Sequence, residues 1–252
     1  DVTRVQTMIQ DATAIVGIGQ TVFAKNLEPT ELELACQAIK AALDDAGIRP
    51  AEVDALSSYT MEETLEFEVA RNLGMGDITF FSQVGYGGGA GCAAVGHVAM
   101  AIASGVANVG VVWRSRKRSD PRKRVWAQVS PRVTDHWKYS RPWGLLRPVD
   151  EVAMFWRRYM HEYGATRNHL ANVALACRRH ANRNPRAFMY QRPLTREEYM
   201  TARWISEPLC LFDNCLESDG ALAVVIVRAD RARDCSHPPA YIHAWSQGLT
   251  RQ

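Results

Sequence analysis

The chain has 252 residues, 47% of them hydrophobic and 23% charged, with a net charge of +3; this is the profile of a globular protein long enough to bury a full core, as one large domain or a domain carrying an insertion. So small a net charge does not by itself imply nucleic acid, and the six cysteines (36, 92, 177, 210, 215 and 235) contain no Cys-x-x-Cys pair, which argues against zinc spacing and a disulfide framework. Neither a cleavable leader nor an apolar run long enough to span a bilayer is expected, so a reducing cytoplasm is the default location.

Residues 14–19, AIVGIG, read as a short apolar strand ending in glycines. They invite a dinucleotide-fingerprint reading, but Val22 stands where the third glycine would be and a loop follows instead of a helix. A helix then opens on a capping box, Thr30 with Glu33. Leu32, Cys36, Ile39, Leu43 and Ala46 recur on one face, and Gly47 ends it. A strand at 55–59, a helix at 63–73 and a strand at 78–81 follow. Next come a glycine-rich helix at 89–104 and a buried strand at 109–113. This alternation predicts an α/β sheet with right-handed crossovers.

The character changes from Arg114 to about Pro208. Basic, aromatic and proline residues crowd 114–148, and helices are expected at 151–163 (Val152, Phe155, Trp156 and Tyr159 on one face) and 166–182. The simplest reading is an inserted, mainly helical domain at 114–208. The core would then comprise 12–113 and 209–252, re-entered at the Ser218-Asp219-Gly220 turn before an apolar strand at 221–228. A last strand is expected at 240–245, and no internal repeat is present.

The stretch 82–105, SQVGYGGGAGCAAVGHVAMAIASG, is a loop feeding a helix of small residues. With residues 15–19, 44–47 and 217–225 (ESDGALAVV), it resembles the thiolase superfamily. Residues 80–92, 158–166, 179–185 and 203–209 are similar to one branch, the lipid-transfer-protein (Ltp2-type) steroid side-chain aldolases, and the resemblance covers nearly the whole chain. It implies a thiolase-like layered α/β fold with an inserted loop domain. Aligning the Ser104-Gly105-Val106 helix end puts the thiolase nucleophilic cysteine at Gly88, while Cys92 lies one turn further on in the helix body.

What the resemblance implies is a carbon–carbon lyase. A coenzyme A thioester bearing a tertiary β-hydroxyl on a 17-hydroxy steroid would be cleaved to a 17-ketosteroid and propionyl-CoA, with no cofactor and no metal beyond the coenzyme A of the substrate. It also implies a thiolase-type homodimer and a small partner with a DUF35 (OB-fold plus zinc-ribbon) domain. The family's acid/base residues belong to a second half of the fold, and no residue of this chain matches them, so that half is expected to be absent from this sequence.

The chemistry fits the missing thiol. Retro-aldol cleavage needs a base for the hydroxyl and a site for the enolate, and no acyl-enzyme. Gly88 removes an off-path nucleophile and makes room for a ring system, and the N–H groups of 88–91 at a helix start are candidates for holding negative charge. The candidate site is therefore Tyr86 (an acid, a substrate-orienting group or an aromatic plug), with Gly87, Gly88 and Gly89 as backbone donors. Cys92 completes it as a substrate contact, a displaced nucleophile or a buried hydrophobe, and Met154 and Phe155 as acyl and pantetheine contacts or as ordinary packing residues.

Other signals read more plainly. The run 114–124 holds seven basic residues and one acid; it reads as a mobile solvated loop, a coenzyme A phosphate contact or a nucleic-acid patch. His161, His169 and His180 read as surface or capping groups, and Asp213 and Asp219 as turn formers. Two other functions remain open: a non-catalytic acyl-CoA or lipid-binding homologue, and an acyltransferase working with a DUF35 partner through another residue.

Overall fold

The computed structural model describes residues 9–85, 87–120 and 135–248. The chain divides into two compact units, Asp1–Ser119 with Ser218–Gln252, and Asp120–Glu217. In the first unit the strands are β1 (Thr13–Gln20), β2 (Ala55–Tyr59), β3 (Phe80–Val84), β4 (Val109–Arg116), β7 (Gly220–Arg228) and β8 (Ala240–Tyr241). They form one mixed sheet in the order β3-β2-β4-β7-β1-β8. The β2–β3 and β2–β4 pairs are parallel; β4–β7, β7–β1 and β1–β8 are antiparallel. The two strands expected at 109–113 and 221–228 are thus direct neighbours, Val111 opposite Val225.

Alternation along the central strands sends side chains to both faces. Val109, Val111, Val225 and Val227 pack with helix α1 (Glu31–Ala46), whereas Val112 and Ile226 pack with helix α3 (Ala90–Ala103). The Thr30 hydroxyl caps α1 by accepting from the Glu33 N–H, and Gly47 at φ 72° closes it. The buried face keeps Ile39, Leu43 and Ala46 of the one expected but is rotated away from its N-terminal members. Leu34, Ala35, Ala38, Ile39, Ala42 and Leu43 face the sheet, while Leu32 and Cys36 are only half-buried. Where β1 crosses the helix it lies so close that only alanines stand opposite it: a Cβ on Gly17 would overlap the Ala42 carbonyl oxygen, and one on Gly19 that of Ala38. These two glycines serve helix–sheet packing.

Several ends differ from expectation. Helix α2 is Glu66–Leu73, shorter than 63–73, because Glu62 and Thr64 are engaged in a turn. Strand β3 begins at Phe80, and β8 stops at Tyr241. Strand β4 runs to Arg116, pairing it with Gly220.

The second unit contains α4 (Pro148–Tyr163), α5 (Arg167–Ala181), α6 (Arg196–Thr201) and the two-stranded pair β5 (Trp204–Ser206) and β6 (Leu209–Cys210). Residues 209–217, placed with the core from the sequence, belong to this unit. Its core gathers Ala171, Tyr199 and Cys210. The Tyr199 hydroxyl donates to Asp213 at 2.6 Å, and burial followed by that carboxylate raises its pKa far above the ordinary phenol value. His169 caps α5, its Nδ1 accepting from the Thr166 N–H, while His161 and His180 are exposed.

Candidate active site

The parallel strands β2, β3 and β4 end on the same side, and their following loops converge there, where open α/β sheets commonly build ligand sites. Beyond β3 runs the glycine loop into α3. No side chain caps α3: Gly89 holds the N-cap, and the Ala93 N–H is returned to the Gly89 carbonyl. Such a helix start presents outward-facing N–H donors and the positive end of the helix dipole. Gly87 takes φ 68°, a left-handed conformation open to glycine.

Gly87, Gly88 and Gly89 line one cavity of about 720 Å3 with Val84, Ala93 and His97. A Cβ at Gly88 meets nothing within 4 Å, so the position opens into space. His97 Nε2 lies 2.8 Å from Gln247 Oε1, and the Trp245 ring lies flat enough on α3 that a Cβ at Gly96 would overlap it. Cys92 is exposed on the first turn of α3 and does not line this cavity. Tyr86 lies outside the described residues. Met154 and Phe155 belong to the second unit, where both project from α4 at 57% and 73% exposure. Neither packs into that unit's core.

The β2–α2 loop escaped sequence reasoning. Thr60 and Met61 have φ of 39° and 60°, a left-handed pair without a glycine. Glu62 is buried below them and accepts from the N–H groups of Glu63, Thr64 and Ser115 and from the hydroxyls of Thr64 and Ser115. Trp113 Nε1 donates to the Thr64 hydroxyl at 3.0 Å. Arg116 donates to the Met61 carbonyl and lies 3.4 Å from Glu31. From the loop, the Thr60 hydroxyl donates to the Gly87 carbonyl at 2.8 Å. Only the carboxylate of Glu62, three residues past the end of β2, could have hinted at this in the sequence, and an acid there reads as a helix start.

Tyr59 ends β2 beside Gly91, with Arg114 over its ring at 5.5 Å. Burial raises its pKa, Arg114 opposes this, and Glu62 and Cys92 add to the rise. A phenol so held stays protonated near neutral pH.

The basic run is not a solvated loop where it is described. Arg114 and Arg116 lie in β4, and Arg116 and Arg118 are buried. Residues 121–124 of the run lie outside the described residues. Asp219 does more than shape its turn. Fully buried, it accepts from the Leu27 and Ser119 N–H groups and the Ser119 hydroxyl, and pairs with Lys117 at 3.3 Å. It ties together the points where the chain leaves and re-enters the first unit. Burial alone would raise its pKa, but the bonds from Ser119, Leu27 and Lys117 outweigh it and hold the carboxyl below the usual range. Its stabilisation is therefore full above the unfolded value of about 4 and is lost as pH falls through the lower folded one.

The chain matches the family described as Thiolase, N-terminal domain, over residues 13–230. It is 48% identical over 249 residues to a steroid side-chain-cleaving aldolase of Thermomonospora curvata, covering 96% of this chain and 63% of that protein. It is 47% identical over 251 residues to the 17-hydroxy-3-oxo-4-pregnene-20-carboxyl-CoA lyase of Mycobacterium tuberculosis, covering 96% of this chain and 64% of that one. Among solved structures, the Ltp2-ChsH2(DUF35) aldolase superposes with a TM-score of 0.89 at 46% identity, over 96% of this chain and 62% of that chain. Human mitochondrial 3-ketoacyl-CoA thiolase, 16% identical with a TM-score of 0.67, shares the fold. The chain thus spans under two thirds of the length of these three relatives. With its mixed sheet between α1 and α3, its glycine loop and its inserted unit, it belongs to the thiolase family, whose N-terminal domain it carries.

Proposed function

We propose that the protein to which this chain belongs is a steroid side-chain retro-aldolase. The observation that carries the reading is Gly88: at the position aligned with a thiolase nucleophile there is no side chain, and the space above it is open. The similarity to two steroid side-chain lyases over 96% of the chain supports the substrate class. In the proposed reaction a base removes the proton of the tertiary hydroxyl. Its oxygen becomes the 17-ketone as the carbon–carbon bond breaks, and the bonding pair passes to the thioester enolate, which is protonated to propionyl-CoA. The donors at the start of α3 would hold the enolate oxygen.

The Gly87, Gly88 and Gly89 backbone is assigned this role, with Cys92 as a neighbouring contact. Tyr86 is a proposed orienting or acid group. Met154 and Phe155 are proposed contacts for the acyl and pantetheine chain. The acid/base residues are assigned to the part of the protein beyond this sequence. A DUF35 partner is proposed from the likeness to the Ltp2-ChsH2(DUF35) aldolase. A homodimer is supported by β3, a sheet-edge strand with Phe81 at 68% exposure beside an apolar groove of about 600 Å3 lined by Phe80, Met100 and Val106; such an edge can pair with its own twofold copy. No helix among the described residues is long and apolar enough to cross a membrane, and the six cysteines are free, which suits a reducing cytoplasm.

The reading is tested by incubating the full-length chain and its DUF35 partner with a 17-hydroxy steroid-CoA thioester. Appearance of 17-ketosteroid and propionyl-CoA in equal amounts supports it; binding without turnover would favour an acyl-CoA carrier. Cys92→Ala is expected to leave kcat within about threefold of wild type, because no acyl-enzyme forms. A loss beyond about a hundredfold, on the order of 3 kcal/mol, in a folded variant would restore a covalent mechanism.

A further inference from the structure

We propose that Thr60 is a positioning residue for the glycine loop, its hydroxyl turning the Gly88 N–H toward the cavity. The proposal rests on the aldolase reading for its catalytic consequence, but its geometry stands on contacts within the first unit.

The peptide joining Gly87 and Gly88 is trans, so its C=O and N–H point in opposite directions. The Thr60 hydroxyl holds the Gly87 oxygen at 2.8 Å. The Gly88 N–H is thereby directed to the side away from Thr60. Without that bond little else restrains the peptide: Cβ atoms built at Gly87, Gly88 and Gly89 all meet empty space, and glycine leaves both φ and ψ broad. A donor that must meet a developing enolate oxygen needs a fixed direction before the reaction starts.

Thr60 reaches the loop through an unfavourable backbone. A β-branched residue at φ 39°, followed by Met61 at φ 60°, is strained. The surroundings over-determine it. The Thr60 N–H donates to the Val84 carbonyl at 2.9 Å, Gln83 Nε2 to the Glu62 carbonyl at 3.0 Å, and Arg116 to the Met61 carbonyl. Beneath them the Glu62 carboxylate gathers Thr64 and Ser115. Glycine at position 60 would remove the strain, and threonine retains it. The difference glycine would make to the loop is the missing hydroxyl.

The test uses the full-length protein with its partner and three variants, Thr60→Val, Thr60→Ser and Thr60→Gly. Valine keeps the branched shape without the donor, and serine keeps the donor. Thr60→Val is expected to lower kcat about 10–100-fold with KM within about threefold, short of the full loss of an oxyanion donor. Thr60→Ser should restore kcat to within about threefold of wild type. Thr60→Gly should melt no lower than wild type and still lose kcat as valine does, a combination that a merely structural role cannot produce. Wild-type kcat in Thr60→Val or Thr60→Gly, or equal impairment of Thr60→Ser and Thr60→Val, would overturn the assignment. Amide exchange of residues 84–92 is read in the same samples. Faster exchange in Thr60→Val and a wild-type rate in Thr60→Ser are expected, and unchanged exchange in Thr60→Val would overturn the positioning. If the wild type fails to cleave steroid-CoA, the aldolase reading fails, while the exchange comparison still decides whether Thr60 holds the loop.

Discussion

Replacing Gly88 with leucine is expected to abolish steroid cleavage while the protein stays folded. The structure separates the two effects. A Cβ at this position meets nothing within 4 Å, and Gly88 does not occupy the left-handed region that Gly87 does, so leucine enters without a clash or a backbone penalty. The branched side chain then projects into the cavity that Gly87, Gly88 and Gly89 line. It fills the space assigned to the ring system and shields the α3 donors from the thioester oxygen. The expected loss in kcat/KM exceeds a thousandfold, about 4 kcal/mol of transition-state stabilisation, with a melting temperature within about 3 °C of wild type. Steady-state kinetics and thermal melts on one sample check this. Wild-type kcat/KM in a stable variant would remove the glycine loop from the active site.

The second large effect is on stability and belongs to Glu62. Glu62→Ala is expected to lower the melting temperature by on the order of 10 °C, from a loss of about 3–5 kcal/mol. Besides a bond from the Glu63 N–H, the carboxylate accepts from four buried donors of Thr64 and Ser115. Alanine orphans them, and each unpaired buried donor costs about 1–3 kcal/mol, partly recovered if water enters. Glu62→Gln should fall between, because one carboxylate oxygen becomes an NH2 facing other donors. Equal melting of the three proteins would show that the β2–α2 loop is not held from below. It would also weaken the argument that strain at Thr60 is sustained by its surroundings.

Much of the frame was legible because local signals agreed with it. The Thr30 cap, Gly47, and the apolar runs of β4 and β7 all formed where expected. Two of the failures share a cause, a partner distant in the chain. Ile39, Leu43 and Ala46 are buried as expected, but Leu32 and Cys36 stay half-buried, because Gly17 and Gly19 draw β1 against Ala38, Ala42 and Ala46 on the neighbouring stripe. Arg116 looked like solvent because charge runs usually are, yet its partner Glu31 lies in α1 and its strand pairs with Gly220. Residues 209–217 are a local case instead: β6 pairs with β5 only a few residues before it.

The candidate site divides the same way. A run of glycines before a small-residue helix announces close backbone approach, and Gly87, Gly88 and Gly89 do line a cavity, but the significance of Gly88 comes from the thiolase resemblance and not from composition. Nothing near Thr60 or Glu62 carries a motif. Their role appears only when β2, β3 and β4 place Val84, Gly87 and Ser115 around one loop. Cys92, prominent in the sequence, sits outside the cavity.

The central claim is that carbon–carbon cleavage proceeds at the glycine loop without a bond to the protein. It is tested most directly by a single turnover of the full-length protein and its DUF35 partner with a 17-hydroxy steroid-CoA thioester. Samples are quenched in acid across the time course and weighed as intact protein while 17-ketosteroid and propionyl-CoA are counted. The account predicts both products rising together with the protein mass unchanged at every time. An acyl adduct that appears before propionyl-CoA and decays as it forms would contradict it.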